Sequence, residues 1–212
     1  TTLGGARYNA TFLDDYNDLS VVRPVKTKSE VQEVVKEVIN MLESQSGEKT
    51  QVVRTDRGGE YLNASLKEFY KAKGIIAQTT APYSPQQNGS AERLNRTLVK
   101  KVRAMLLDSG LEKSMWAEAM VTANYVRNRS PLKSSEDKTP WERFFQKKPD
   151  VSHMRVFGAT AYVQVPQKHR QKLDPTSKKG IFIGYEANSK RERERITRKG
   201  TSNSAEGRKG LA

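Results

Sequence analysis

Residues 50–61, TQVVRTDRGGEY, carry a short β-branched run that ends on an aspartate and a glycine pair. Residues 50–54 (TQVVR) have the composition of a strand, which delivers Thr55 and Asp56 into the Arg57–Gly58–Gly59 turn. In sheets packed by helices, ligands collect beyond the carboxyl ends of strands, and paired glycines let the backbone turn sharply there. Taken alone, Asp56 reads equally well as a solvated turn aspartate, because Asp-Arg-Gly-Gly is ordinary turn chemistry.

Working outward from this stretch, residues 6–13 (ARYNATFL) and 19–25 (LSVVRPV) read as two strands joined by a polar turn, with Pro24 marking an edge or a strand end. The turn makes Asp14 and Asp15 turn residues. Ser29 reads as the cap of a helix in which Val31, Val34, Val35, Val38, Met41 and Leu42 recur at three- and four-residue steps, closed by Gly47. Downstream, residues 63–73 predict a helix with Leu66, Phe69 and Tyr70 inward, and residues 75–79 another strand. APYSPQQNG (81–89) is a loop by composition, and residues 90–107 and 115–127 predict two more helices. Pro131 and Pro140 bracket a connector, from which a short helix at 139–145 continues. Residues 154–165 (MRVFGATAYVQV) and 180–185 (GIFIGY) read as strands. Strand, strand, helix, strand, helix, strand, helix is an α/β order opening on a hairpin, compatible with a mixed sheet packed by helices and specific to no single fold.

The bulk numbers narrow the function. The chain has 212 residues, no cysteine, two histidines and a formal net charge of +14. A surplus of that size favours a polyanionic partner, most commonly nucleic acid. The KRERERITRK stretch at 190–199 inflates the figure, but the remainder is still basic. Disulfide frameworks and thiolate zinc sites are excluded. No apolar run approaches a membrane span, so no membrane partner is expected. No charged-then-apolar leader opens the chain, and with Thr1 in first place the sequence reads as a fragment or processed piece that is not secreted.

Glu92 adds the second carboxylate. It falls in the opening turns of the helix after the PQQNG loop, where the helix dipole favours negative charge, so by itself it reads as a dipole-stabilised glutamate. As a pair with Asp56, separated by 35 residues, it matches what phosphoryl-transfer chemistry requires. Two divalent ions about 3.5–4 Å apart have to be held by hard oxygen ligands. Arg93, Arg96, Lys100, Lys101 and Arg103 crowd the same helix and suit phosphate contacts that position a duplex without reading its sequence. The competing reading of these cations is a solvated basic helix face.

VVRTDRGGEY (52–61), APYSPQQNGSAERLNRTL (81–98), MWAEAM (115–120), YVRNRSP (125–131) and KKPDVSHMRVFGATAYV (147–163) together resemble the integrase region of copia-type retrotransposon polyproteins, over about residues 3–190. The resemblance implies an α/β, RNase H-like mixed sheet with helices, then a small all-β SH3-like domain. It implies a catalytic core over 1–130, a connector with a short helix over 131–146, the SH3-like domain over 147–189 and a disordered basic tail over 190–212. Asp56 matches the second catalytic aspartate and Glu92 the catalytic glutamate, both ligands of Mg²⁺ or Mn²⁺. Asn88, Gly89 and Asn95 of the second motif are further site positions, and Arg93, Arg96, Lys100 and Lys101 the DNA-binding ones. The implied activity is that of a polynucleotidyl transferase, processing the 3′ ends of element DNA and joining them to target DNA. Its partners would be those two DNAs and further copies of the chain, in the nucleus or an intracellular virus-like particle.

Two departures qualify this. The family's first catalytic aspartate lies on a strand upstream of GGARY, so that central strand, and with it the third carboxylate, is expected to be missing ahead of Thr1. Its loss would leave facing strand edges with unpaired backbone groups. Beyond about Lys190 the family pattern stops in a charged, apolar-poor tail. A catalytically dead nucleic-acid-binding remnant is therefore the alternative to an integrase. An RNase H-type nuclease shares the carboxylate logic, but the PQQNG loop and the trailing strands argue against it.

Overall fold

The structure, a computed structural model, describes residues 1–2, 4–56, 63–79, 89–132 and 137–185, and the backbone of 196–197. The chain opens on an antiparallel hairpin, β1 (Tyr8–Leu13) and β2 (Ser20–Val25), in register from Tyr8 opposite Val25 to Leu13 opposite Ser20. Asp14 shapes its turn by accepting from the Tyr16 amide at 3.1 Å and from Asn17 Nδ2 at 3.0 Å, the turn role its position predicts. Side-chain alternation sends Phe12 to one face of the hairpin and Leu13 to the other. β2 is buried on both faces, Val22 joining one core and Val25 the other.

Helices cover both faces. On one, α1 (Val31–Ser46) and α2 (Ala64–Lys73) bury Val31, Val35, Ile39, Leu66 and Tyr70 against Val25, Phe12 and Val53. The start of α1 differs from expectation. A single helical turn over Lys28–Glu30 precedes it, and Glu30, not Ser29, organises the entry by accepting from the Lys26 amide at 3.0 Å and from Thr27 Oγ1 at 3.3 Å. For α2 the Asn63 side chain accepts from the Leu66 amide at 2.8 Å, an ordinary N-cap. β3 (Val52–Thr55), before α2, and β4 (Ile76–Thr79), after it, form a parallel pair, Val52 opposite Ile76 through Thr55 opposite Thr79.

On the opposite face, α3 (Gly89–Ser109) lays Leu94, Leu98 and Val102 into the core with Met115, Ala119, Met120 and Ala123 from α4 (Trp116–Asn128) and its approach. Each of those leucines is worth about 1.5–3 kcal/mol of burial. The whole is a three-layer α/β arrangement. Among the described residues, however, the strands of this part form two separate two-stranded sheets rather than one continuous mixed sheet.

The short helix α5 (Pro140–Phe145) is capped by Thr139 Oγ1, which accepts from the Glu142 amide at 3.0 Å. The C-terminal sheet then runs β5 (Thr160–Gln164), β6 (Ser177–Phe182) and β7 (Ile196–Thr197), antiparallel in the order β5-β6-β7. The strand expected over 154–165 begins only at Thr160. Residues 154–159 instead turn so that Phe157 enters the α3–α4 core and Gly158, at φ +84°, passes over Ser109. The strand expected over 180–185 is shifted toward its start. Ile183 leaves the sheet to join the same core, its carbonyl accepting from Thr122 Oγ1 at 3.4 Å. Within the tail expected to be disordered, residues 196 and 197 pair with β6; the rest of 190–212 lies outside the described residues.

Candidate functional site

Asp56 stands exposed immediately beyond β3, at the carboxyl end of the parallel β3–β4 pair. Its strand is tied to the first hairpin by Arg54, whose guanidinium lies 3.8 Å from the Asp15 carboxylate. That ion pair gives Asp15 a structural partner and was not legible in the sequence, because 39 positions separate the two residues. Glu92 is exposed in the first turn of α3, where the helix's unsatisfied amides favour a carboxylate. The helix begins at Gly89, one residue before expectation. Among the described residues, no ion pair ties Glu92 to the arginines beside it.

The cations of α3 separate into two kinds. With Leu94, Leu98 and Val102 turned inward, helical periodicity puts Glu92, Arg96, Lys100 and Arg103 along one exposed face, and all four are exposed. Arg93 and Asn95 are exposed as well, and Arg93 Nη2 donates to Ser90 Oγ at 3.3 Å. Lys101 is different. It is half-buried on the flank facing α4, and burial, then the Arg127 guanidinium, push its ammonium below the usual lysine range. Asn88 lies outside the described residues, as do 57–62 and 80–87.

Arg127 is the organising cation beneath the surface. It is buried, and burial lowers its pKa while Asp18 opposes the shift. Its Nη1 donates to the Asp18 carbonyl at 2.6 Å and to Ser20 Oγ at 3.0 Å. Around it, Asn124 Nδ2 and Asn128 Nδ2 donate to the Ser20 carbonyl at 2.8 and 2.7 Å, and the Ser20 amide donates to Asn128 Oδ1 at 3.1 Å. This network fixes the start of β2 to the last turns of α4. Sequence reading missed it; the only signal was Asn124, Arg127 and Asn128 clustered in the last turns of the helix.

The end of α4 also grips the C-terminal segment. The Tyr125 ring stacks on Tyr185 at 4.0 Å, its hydroxyl meets His153 Nε2 at 2.9 Å, and the Arg129 guanidinium is held between Tyr125 and Trp141, 3.4 and 3.9 Å from the two ring centroids. A polar cavity of about 190 Å³ between the first hairpin and α5 is lined by Tyr16, Asn17, Lys138, Glu142, Arg143 and Gln146. It includes none of the candidate residues and is smaller than a typical small-molecule site. Among the described residues, no three histidine, aspartate or glutamate side chains come together to hold a metal, and no helix is long and apolar enough to cross a membrane.

Residues 1–85 match the integrase core domain family, and residues 159–193 match the retroviral polymerase SH3-like domain family. The chain is 41% identical over 184 residues to the Retrovirus-related Pol polyprotein from transposon TNT 1-94 of Nicotiana tabacum, an alignment covering 87% of this chain and 14% of that protein. The chain carries an integrase core region and a retroviral SH3-like region. A second integrase-region relative, the Pol polyprotein from transposon RE1 of Arabidopsis thaliana, is 30% identical over 179 residues, covering 84% of this chain and 12% of its own length. The chain thus spans about one-seventh or less of the Pol polyproteins it matches. The integrase fold is seen in solved structures too. The HTLV-2 integrase catalytic core domain in complex with magnesium, in a trimeric form, aligns at a TM-score of 0.50 and 20% identity over 63% of this chain and 82% of that one. The simian T-cell lymphotropic virus intasome in complex with PP2A regulatory subunit B56 gamma aligns at 0.53 and 17% identity, over 82% and 62%. The core family match ends at residue 85, so Glu92 rests on its own position at the head of α3.

Proposed function

We infer that this chain is the DNA-handling part of a copia-type retrotransposon integrase, a polynucleotidyl transferase that processes element 3′ ends and joins them to target DNA. The observation that carries the reading is the pairing of a strand-end carboxylate with a helix-start one: Asp56 beyond β3, and Glu92 at the head of the exposed Arg96–Lys100–Arg103 face. We assign Asp56 and Glu92 as catalytic metal ligands. Arg93, Arg96 and Lys100, with Lys101 at their flank, take the phosphate backbone, and Asn88, Gly89 and Asn95 are further site positions.

The donors suit Mg²⁺ or Mn²⁺ in type, being exposed hard oxygens with no thiolate available. In number they fall short, since two carboxylates from the described residues do not make a three-ligand cluster. When bound, such an ion supplies Lewis acidity at a phosphoryl oxygen and acidity to its water. What the chain's own residues do is narrower: the basic face of α3 sets the duplex in register, and Glu92 meets it at the helix start. The same reading places a catalytic core over 1–130, a connector over 131–146, an SH3-like domain over 147–189 and a basic tail beyond. It takes element-end and target DNA as partners, an oligomer as the working form, and the nucleus or a virus-like particle as the setting. A magnesium-bound trimeric core in HTLV-2 integrase and an intasome from the simian virus support the metal and assembly assignments by relationship.

The second reading, a nucleic-acid-binding remnant without catalysis, draws on the exposed basic face of α3 alone. The two separate in a strand-transfer assay on integrase released from the Pol polyprotein carrying this segment, with Mg²⁺ and a labelled element-end duplex. Glu92→Gln and Asp56→Asn should each abolish strand transfer and leave duplex binding largely intact. Transfer that survives either substitution removes that residue from the mechanism, and an inert parent that still binds duplex supports the remnant.

A further inference from the structure

The β5–β6 connection ends in a turn built to hold one apolar side chain in solvent. Its base is closed by the Val165 amide donating to the Thr176 carbonyl at 2.9 Å. At its crest, the Gln171 amide donates to Asp174 Oδ2 at 2.7 Å and the Asp174 amide donates back to the Gln171 carbonyl at 3.1 Å. Lys172 and Leu173 are the two residues this reciprocal pair leaves at the tip, and Leu173 is 97% exposed. A lone surface leucine is ordinary and needs no account. This one sits on a pre-formed turn inside a basic field: residues 160–182 carry five lysines and arginines, and their sole acid, Asp174, is engaged in holding the turn. On the sheet beside the turn, Tyr162 is 67% exposed and stands directly opposite the exposed Lys179 across the β5–β6 ladder.

We propose that Leu173 is an apolar wedge for duplex DNA, inserted at a base step while Lys172, Lys168 and the Tyr162–Lys179 face take the adjoining backbone. Proteins that kink a duplex push an aliphatic side chain between base pairs from a basic surface, and the turn supplies that combination with little ordering cost left to pay. A basic loop with an apolar tip also suits an anionic membrane, but one leucine is a weak anchor by itself. The exposed tyrosine–lysine pair offers a flat ring and a cation, which match bases and phosphates better than lipid headgroups. The proposal rests on the DNA-binding reading given above.

The test uses the full 212-residue chain and a duplex of roughly 30 base pairs, end-labelled with a donor and an acceptor dye. The parent should bind and draw the ends together. Leu173→Ser should bind about tenfold more weakly with the ends left apart, and its salt dependence should be unchanged because no phosphate contact is lost. Lys172→Gln should instead reduce the slope of log affinity against log salt by about 1. A Leu173→Ser variant that binds and bends the duplex like the parent overturns the wedge while leaving DNA binding in place. A parent that does not bind duplex at all overturns the DNA-binding reading, and the wedge with it. Loss of binding to phosphatidylserine vesicles on Leu173→Ser, with the duplex unaffected, assigns the turn to a membrane surface and overturns the proposal as well.

Discussion

Gly158 crosses Ser109 at the end of α3 so closely that a Cβ at 158 would lie 2.2 Å from the Ser109 Cβ and 3.1 Å from its Cα. The same residue has φ +84°, and its amide donates to the Phe182 carbonyl at 2.8 Å, so the crossing is also where the C-terminal sheet is fastened. No atom of Ser109 can yield, because the contact is with its first side-chain carbon and backbone.

Gly158→Ala is therefore expected to destabilise the chain by about 2–4 kcal/mol, combining overpacking with left-handed strain. Gly110→Ala is the control. It shares the left-handed backbone, at φ +63°, with nothing within 4 Å of the added carbon, and should cost about 1 kcal/mol. Urea midpoints measured on both variants check the difference, and equal losses would show that the close approach is not what matters.

The Ser20 network predicts a second contrast. Asn128→Ala removes the acceptor of the Ser20 amide and a donor to the Ser20 carbonyl, both buried, and should cost about 1–3 kcal/mol. Asn95→Ala makes the same chemical change on the exposed side of α3 and should cost nothing measurable by the same denaturation.

Acid sensitivity has a specific contributor in Glu43. Its side chain accepts from Lys73 and from the Thr50 amide at 3.0 Å, and the Lys73 hydrogen bond is the main cause holding its carboxyl below the ordinary value of 4.5. A folded-state pKa below the unfolded one contributes stability that is complete above about pH 4.5 and is lost as pH falls through the lower folded value. Lys73→Met should thus be less stable than the parent at pH 7, with the gap closing as the pH is taken below 4.5. Urea unfolding across that range reads the gap directly, and a pH-independent gap would assign the loss to the Lys73 ammonium over the Phe69 ring.

On the proposed DNA-binding face, Arg96→Gln and Lys100→Gln should each lower the slope of log affinity against log salt by about 1 on a mixed-sequence duplex. Lys101→Gln should lower it less, because Lys101 is half-buried beside Arg127. Equal slopes for all three variants would mean that the exposed face of α3 is not the surface that meets phosphate.

How far the sequence could be read depended on how local the forces were. Valine and leucine spacing foretold α1, and helical periodicity foretold α3, because a helix's buried stripe is set within its own 16 to 21 residues. The β-branched composition of 20–25 foretold β2, and the turn chemistry of Asp14 its hairpin. Residues 154–159 read as strand by composition, yet the need to pass a glycine over Ser109 and bury Phe157 overrode that preference. For the candidate site, Asp56 and Glu92 and their settings were legible as motifs. That Lys101 differs from Lys100 was not, since only the packing of α4 distinguishes them.

By itself, the sequence determined the elements, the basic surplus and the family signature, because propensity, periodicity and motif order are properties of short stretches of chain. Tertiary structure alone decided which polar groups became one network around Ser20, whose partners lie more than 100 positions away, and which side chains stayed in water. It also decided that both Asp56 and Glu92 stay exposed. Burial and long-range contact are set by which surfaces meet, and no window of sequence contains both surfaces.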